Sequence, residues 1–389
     1  MHSTPNLSRT RKQKHVPRST RKIAFFSVTT ESRQASGSAL ASLLRLALGL
    51  PLLLLTPVHA QIVAYKAAPA SQQPTILSAG NGVPLINIRT PSAAGVSHNT
   101  YGQFDVQKQG AILNNSRNNA QTQLGGWVQG NPWLAGGTAR VILNEVISAN
   151  PSQLLGYLEV AGNPAQVVIA NPAGVTCNGC GFINANRVTL TTGTPIISGG
   201  NLEGYRVEGG AIRIEGTGMD ASGASYTDLI ARAVELNAGL WAQTLGVTTG
   251  PNQVNAANTQ ATPVAGTGGA PAFAVDVAQL GGMYANKITL IGTEAGVGVR
   301  NAGTIGATVG EVSINAEGEL QNTGKIAATT RQEINVSSLS NRGLIDGGDT
   351  FIQTGTLDNL GTGRIYGDQL AIAANTLNNA VETQGGTPQ

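Results

Sequence analysis

The sequence predicts an all-β chain wound as a parallel β-helix, and three observations carry that expectation. Apolar residues come in short runs rich in Val and Ile, as in Arg140-Val-Ile-Leu-Asn144, Gln166-Val-Val-Ile-Ala170 and Ala211-Ile-Arg-Ile-Glu215. Gly, Asn and Pro part these runs, the pattern of short strands joined by tight turns. A unit Leu-x-Asn-x-Gly-x-Ile recurs in the C-terminal third about every twenty residues, the signature of a repeat architecture. Composition agrees: 51 of 389 residues are glycine, whereas aromatic residues make up 4% and charged residues 12%. Charge that sparse argues against a coiled coil or a nucleic-acid binder, and 41% apolar residues argue against intrinsic disorder.

The first sixty residues stand apart. They carry nine Lys/Arg against Glu31 alone, which leaves 15 basic and 20 acidic side chains for the other 329 residues. The net +3 of the whole chain is therefore a property of the leader, and the remainder is acidic, so no nucleic-acid partner is expected. Leu46–Leu55 is uncharged and mostly leucine, and Val58-His59-Ala60 after it is a small-x-small pattern. Residues 1–60 thus read as a long secretory signal peptide, cleaved between Ala60 and Gln61. A membrane anchor is the weaker alternative, because ten residues cannot span about 30 Å of hydrocarbon as a helix. The rest of the chain is expected to fold outside the cytoplasm.

Cys177 and Cys180 are the two cysteines, set in Thr-Cys-Asn-Gly-Cys-Gly. In an oxidising compartment such a pair suits a small local disulfide, with free thiols as the alternative. A thioredoxin-type site needs a thiolate at a helix N-terminus after a βαβ pattern, which is absent. A structural zinc site needs two further ligands, and His98 is the single histidine beyond the leader. The same scarcity nearly removes His-based acid–base catalysis. No metal or other cofactor is expected.

The repeat sets the architecture. Asn301, Asn322, Asn341 and Asn359 head successive units, 21, 19 and 18 residues apart, and Leu320, Leu339, Leu357 and Leu377 each stand two residues before an asparagine. A period near twenty holding two or three short strands is one coil of a parallel β-helix, with coils stacked at about 4.8 Å. Leu and Ile are expected to point inward as apolar columns. The asparagines are expected to take left-handed turn angles and to stack as an amide ladder, with Gly supplying angles that a β-carbon forbids. A leucine-rich repeat shares the period but needs helical segments between its strands. At most about sixteen coils fit in 329 residues. Residues 61–130 lack the repeat and are expected to form a cap, since a bare terminal strand exposes unpaired amides. The interval Pro251–Pro271 lacks apolar periodicity and reads as a surface loop.

Several motifs in fixed order carry a resemblance. They include Tyr101-Gly-Gln-Phe-Asp-Val106, Ile112-Leu-Asn-Asn-Ser116, Gln129-Gly-Asn-Pro-Trp-Leu134, Asn171-Pro-Ala-Gly-Val175, Gly179-Cys-Gly-Phe-Ile-Asn184 and Arg187-Val-Thr-Leu-Thr-Thr-Gly193. Together they resemble the N-terminal secretion domain of two-partner secretion exoproteins, the filamentous haemagglutinin and contact-dependent growth inhibition toxin family. The similarity covers about residues 62–380, and the Asn-x-Gly units resemble haemagglutinin repeats. The resemblance implies a right-handed parallel β-helix (solenoid) with an N-terminal cap and extra-helical strands. It also implies a partner, a cognate outer-membrane transporter whose periplasmic modules receive the unfolded chain, and delivery to the bacterial surface or beyond. A receptor on a host or neighbouring cell would be a further partner. Two family signatures map onto Asn131, Pro132, Trp133 and Leu134, and onto Asn171, Pro172, Ala173, Gly174 and Val175. Both depart at the third position, where Trp133 and Ala173 replace asparagine. Their role is open between transporter recognition and turn formation, because Asn-Pro initiates turns wherever it occurs. The cysteine pair matches the growth-inhibition subgroup.

The expected organisation is a signal peptide (1–60), a secretion domain (61–300), haemagglutinin-type repeats (301–380) and a polar tail (381–389). The expected function is that of a secreted adhesin or toxin carrier, and not an enzyme. A β-helical polysaccharide-active enzyme is the alternative, but it needs clustered carboxylates, and Asp346 and Asp349 form the closest Asp pair, in a glycine turn. An autotransporter passenger would need its own barrel, so export is expected to rely on a separate protein.

Overall fold

The structure is a computed structural model that describes residues 62–384 and 387–388. The expected leader, its cleavage point at Ala60 and Gln61, and part of the polar tail lie outside the described residues. Nearly all the rest is strand, with two single-turn 3-10 segments at Ala70–Gln72 and Pro132–Leu134. Among the described residues no helix is long and apolar enough to cross a membrane.

The chain forms a parallel β-solenoid with three ladders. The first passes in register from Ser97 through Ile142, Val167, Val188, Thr227, Leu245, Ile288, Val312, Gln332 and Thr350 to Leu370, which makes about eleven coils. The second aligns Met219, Leu240, Met283, Ile305, Ile326 and Ile345. The third aligns Val175, Ile212, Val234, Val275, Val299, Leu320, Leu339 and Leu357. Alternate residues of each strand point inward, so the three columns meet in one buried apolar lumen. Burying each such side chain contributes about 1.5–3 kcal/mol. The lumen is not wholly apolar. Ser97, Thr227, Gln332 and Thr350 occupy inward positions of the first ladder, and neither the Gln332 amide nor the Thr227 hydroxyl has a partner among the described residues.

The first coils are capped, as the absence of the repeat predicts. Ile62–Ala64 pairs antiparallel with the strand Val96–Phe104, and the hairpin Thr75–Ser78/Pro84–Asn87 lays its second strand parallel on Ala111–Asn115. Antiparallel strands at this end cover edge groups that would otherwise be free. A second hairpin, Ala120–Thr122/Gly126–Val128, closes a small core around Ile112, Val128 and Ala161.

Two expectations need correction. The interval Pro251–Pro271 is not simply a loop. Asn252–Asn255 and Ala261–Pro263 join Thr194–Ser198 and Asn201–Val207 in a four-stranded antiparallel sheet outside the solenoid. That sheet packs Tyr205, Val207 and Val254 over Leu143, Val168 and Ile230, an apolar patch on the outer face that alternation alone could not reveal. The repeat asparagines form the expected amide ladder, yet their backbone is extended; the only non-glycine residues at positive φ among the described residues are Asn184 and Asn258. Glycines Gly303, Gly324 and Gly343 also avoid positive φ. Their requirement is steric, because a β-carbon on each would run into a carbonyl of the coil below, Gly281, Gly303 and Gly324 respectively.

Candidate functional site

Both Asn-Pro motifs fold into the same local device. Asn131 precedes the 3-10 turn Pro132–Leu134, and its Oδ1 accepts the Trp133 N–H at 3.0 Å. Asn171 does the same with the Ala173 N–H at 3.0 Å. Proline after asparagine fixes φ, and the side-chain oxygen adds a second bond to the turn that the Leu134 and Gly174 N–H groups close on the carbonyls of Asn131 (3.2 Å) and Asn171 (2.9 Å). Only the backbone N–H of the third residue takes part, so Trp133 and Ala173 serve where the family carries asparagine.

The remaining atoms of both amides face inward. Nδ2 of Asn131 donates to the carbonyls of Ile88 (2.8 Å) and Asn114 (2.9 Å), tying the cap hairpin to the second ladder. Nδ2 of Asn171 donates to the Asn150 carbonyl and to Ser152 Oγ, both at 3.0 Å. Both side chains are buried, as is Leu134. Pro132 and Pro172 are exposed. Gly174 takes φ +122°, a backbone state open to glycine. Trp133 lies on the surface beneath the Arg89 guanidinium, 3.7 Å from its ring centre, and its indole N–H donates to Thr75 Oγ1 at 3.1 Å.

Sequence reading missed the neighbours that do the same work. Asn99, Asn114, Asn115 and Asn144 are fully buried and bridge coils: Asn114 to Asn87 (2.8 Å), Asn115 to the Asn163 carbonyl (2.9 Å), and Asn144 to the Val168 carbonyl (3.1 Å). The Tyr101 hydroxyl donates to Asn144 Oδ1 at 3.0 Å, and burial pushes the Tyr101 phenol well above its ordinary pKa. For Asn114, Asn115 and Asn144 the signal lay in the quoted segments Ile112–Ser116 and Arg140–Asn144, where asparagine sits inside strands that otherwise favour β-branched residues.

Cys177 and Cys180 are joined by a disulfide with a Cα–Cα distance of 5.4 Å. It closes the corner between the third-ladder strand Val175–Cys177 and the second-ladder strand Cys180–Ile183. Gly179, at φ +81°, makes the corner possible. From Asn301 onward, Nδ2 of each repeat asparagine donates to Oδ1 of the next, Asn301 to Asn322, Asn341, Asn359 and Asn379, all at 2.8 Å. His98 is tied to Glu145 at 2.6 Å. Among the described residues no group of three or more His, Cys, Asp or Glu side chains could hold a metal ion.

A capped parallel solenoid whose singled-out residues build turns, corners and ladders defines a structural module. Comparison with known proteins agrees. The family "TPS secretion domain" matches residues 60–322, so the chain belongs to the secretion-domain family of two-partner exoproteins. It is 58% identical over 291 residues to "Toxin CdiA" of Yersinia pestis, covering 74% of this chain and 9% of that protein. It is 49% identical over 265 residues to "tRNA nuclease CdiA-2" of Burkholderia pseudomallei, covering 68% of this chain and 8% of that protein. The chain thus spans less than a tenth of these curated relatives. The crystal structure of the filamentous hemagglutinin secretion domain superposes with a TM-score of 0.60 at 31% identity, covering 82% of this chain and 99% of that one. Proteins of this family are secreted to the cell surface or extracellular space, and the domain implies a cognate outer-membrane transporter. The matched domain is a secretion domain, and nothing supports the polysaccharide-enzyme alternative.

Proposed function

We propose that this chain directs export of a toxin-carrying exoprotein of the contact-dependent growth inhibition type through its cognate outer-membrane transporter. The observation that carries this reading is the unbroken match of residues 60–322 to a secretion domain, at up to 58% identity with proteins named as toxins. Residues 1–60 act as the signal peptide, cut between Ala60 and Gln61. The secretion domain (61–300) crosses unfolded and winds outside, and the repeats (301–380) begin a shaft where the amide ladder begins. The polar tail is 381–389.

Within this reading Asn131, Pro132, Leu134, Asn171, Pro172 and Gly174 act by shaping the fold. The buried, fully used amides of both asparagines support that role over contact with the transporter in the folded state. The Cys177–Cys180 bridge staples a corner. A surface receptor on a neighbouring cell is the further partner, and the acidic remainder of the chain favours no nucleic-acid contact by this region.

The test is expression with and without the transporter, scored by protease access on whole cells. Surface-exposed chain only when the transporter is present supports the proposal; equal exposure without it, or periplasmic retention with it, refutes it.

A further inference from the structure

The Cys177–Cys180 bridge lies inside the solenoid, within the apolar lumen, although the chemistry that makes such a bond needs open access. Cys177 is 0% exposed and Cys180 2%. Cys177 stands in register with Leu154 of the coil below and Ile214 of the coil above, and Cys180 with Met219 of the coil above. All three neighbours are buried. Sγ of Cys177 is 3.4 Å from the Gly218 carbonyl oxygen. Backbone shuts the outer side of the corner, where the N–H groups of Asn178 and Gly179 donate to the carbonyls of Leu154 (2.9 Å) and Gly218 (2.8 Å). What the corner shows to solvent is Asn178 and Gly179, both half-buried.

A protein disulfide is made by thiolate attack on the disulfide of an oxidant, through a mixed disulfide that joins the two molecules. One of the two sulfurs must therefore be reached from outside, and the wound solenoid shields both. Oxidation has to precede closure of the coil that brings Ile214 and Met219 over the pair. Two intervals allow it. One is passage through the oxidising periplasm as an unfolded chain. The other lies outside the cell and ends as soon as the next coil emerges and winds. Rates decide between them: β-hairpins close in about 1–10 μs, whereas disulfides form in seconds to hours according to the oxidant. The spacing also suits early closure. With Asn178 and Gly179 alone between the cysteines, the bridged chain is still a single thread and presents no wide loop to a pore.

We propose, resting on the reading that the chain crosses the periplasm unfolded, that a periplasmic dithiol oxidase joins Cys177 to Cys180 before export and that winding then seals the bond. One cysteine thiolate attacks the oxidase's disulfide and releases an oxidase thiolate. The other cysteine thiolate then attacks the mixed disulfide, closes the bridge and releases the second oxidase thiolate. The cysteine pair is oxidised, the oxidase disulfide is reduced to a dithiol, and the protons of the pair pass to the oxidase sulfurs. Once the coils on both sides are wound, neither oxidant nor reductant reaches the sulfurs. The state of the pair on the cell surface is thus fixed by what happened in the periplasm.

The test reads the thiol state of the full chain after acid quenching, by the gel shift from a maleimide polymer added in urea. With two cysteines in the chain, a bridge leaves no tag and free thiols take two. Chain in the periplasm of cells without the transporter is expected to carry no tag. Surface chain from transporter-bearing cells without the oxidase is expected to take two tags in urea and none while folded. Oxidised glutathione should bridge that chain only after urea opens it. Cys177→Ser/Cys180→Ser chain on the surface of the same cells shows that the transporter works there without the oxidase. Free thiols in the periplasm beside a bridged surface chain overturn the proposal. So does a bridge on surface chain from oxidase-lacking cells, or bridging of the folded chain by glutathione. Bridged chain that stays in the periplasm of transporter-bearing cells would instead refute export and leave the order of oxidation standing.

Discussion

The side-chain nitrogen of Asn301 donates to Oδ1 of Asn322 across 2.8 Å, while Oδ1 of Asn301 itself is buried and meets no donor. One coil earlier the same position holds Val277, and before it Leu236. The ladder thus begins abruptly, where an apolar column becomes an amide column, and its first acceptor goes unmatched. Each interior member is satisfied on both sides, so the ladder's strength should depend on position.

Asn322→Ala should cost about 1–2 kcal/mol, because it leaves the Oδ1 of buried Asn341 with only the longer bond from the Gly343 N–H (3.3 Å) and strips Asn301 Nδ2 of one acceptor. Asn359→Ala, at a half-exposed rung, should cost less than about 1 kcal/mol, since water replaces the lost partner. Val277→Asn should be tolerated better than Leu236→Asn, because only the former can donate to Asn301 Oδ1. Urea denaturation of the two pairs of variants gives the ordering.

The Asn-Pro turns give a sharper contrast. Asn131→Asp keeps the acceptor for Trp133 N–H but turns a second oxygen toward the carbonyls of Ile88 and Asn114, so it should destabilise by about 2–4 kcal/mol. Trp133→Asn restores the family residue and should cost about 1 kcal/mol or less, the worth of the Arg89 contact. Equal losses in a denaturation series would show that the turn does not work through its amide.

Two buried tyrosines should respond in opposite senses to loss of the hydroxyl. Tyr101→Phe orphans Asn144 Oδ1 and should cost about 1–2 kcal/mol. The Tyr205 hydroxyl is buried without a hydrogen bond, although Thr189 and Asp228 lie nearby. Tyr205→Phe should therefore be neutral or stabilising. Burial, and for Tyr205 the Asp228 charge, raises both phenol pKa values above the ordinary 10.0. The unfolded chain then releases protons first, so this contribution is whole below pH about 10 and falls as pH rises beyond it. Stability against pH, with and without Tyr205→Phe, shows the difference as a shallower alkaline decline in the variant.

The four-residue loop closed by Cys177 and Cys180 is short, and chain-entropy arguments give its bridge about 2 kcal/mol. The double variant Cys177→Ser/Cys180→Ser should lose about that much, and reduction of the unaltered chain should lose the same. A markedly larger loss would mean that the bridge also holds the Val175–Cys177 and Cys180–Ile183 strands in register.

Much of this architecture was legible because the repeat writes its own geometry: Leu320, Leu339, Leu357 and the asparagines two residues on fall into adjacent columns, as their spacing requires. What escaped was tertiary. Tyr205 and Val254 look like any alternating strand residues until the outer sheet places them over Ile230. Gly324 reads as a conformational glycine, whereas its constraint is a carbonyl one coil away. Asn114 and Asn131 lie 17 residues apart in sequence and meet only because the cap folds back. Gln332 and Thr350 occupy lumen positions that an apolar period would assign to Ile or Val.

The account's centre is that residues up to about 322 are sufficient for passage through a dedicated outer-membrane pore. The most direct measurement fuses residues 1–322 to an otherwise periplasmic reporter and quantifies reporter in the medium of cells with and without the cognate transporter. Release confined to transporter-bearing cells is the predicted result. Reporter held in the periplasm of those cells, or released equally from both, would contradict it.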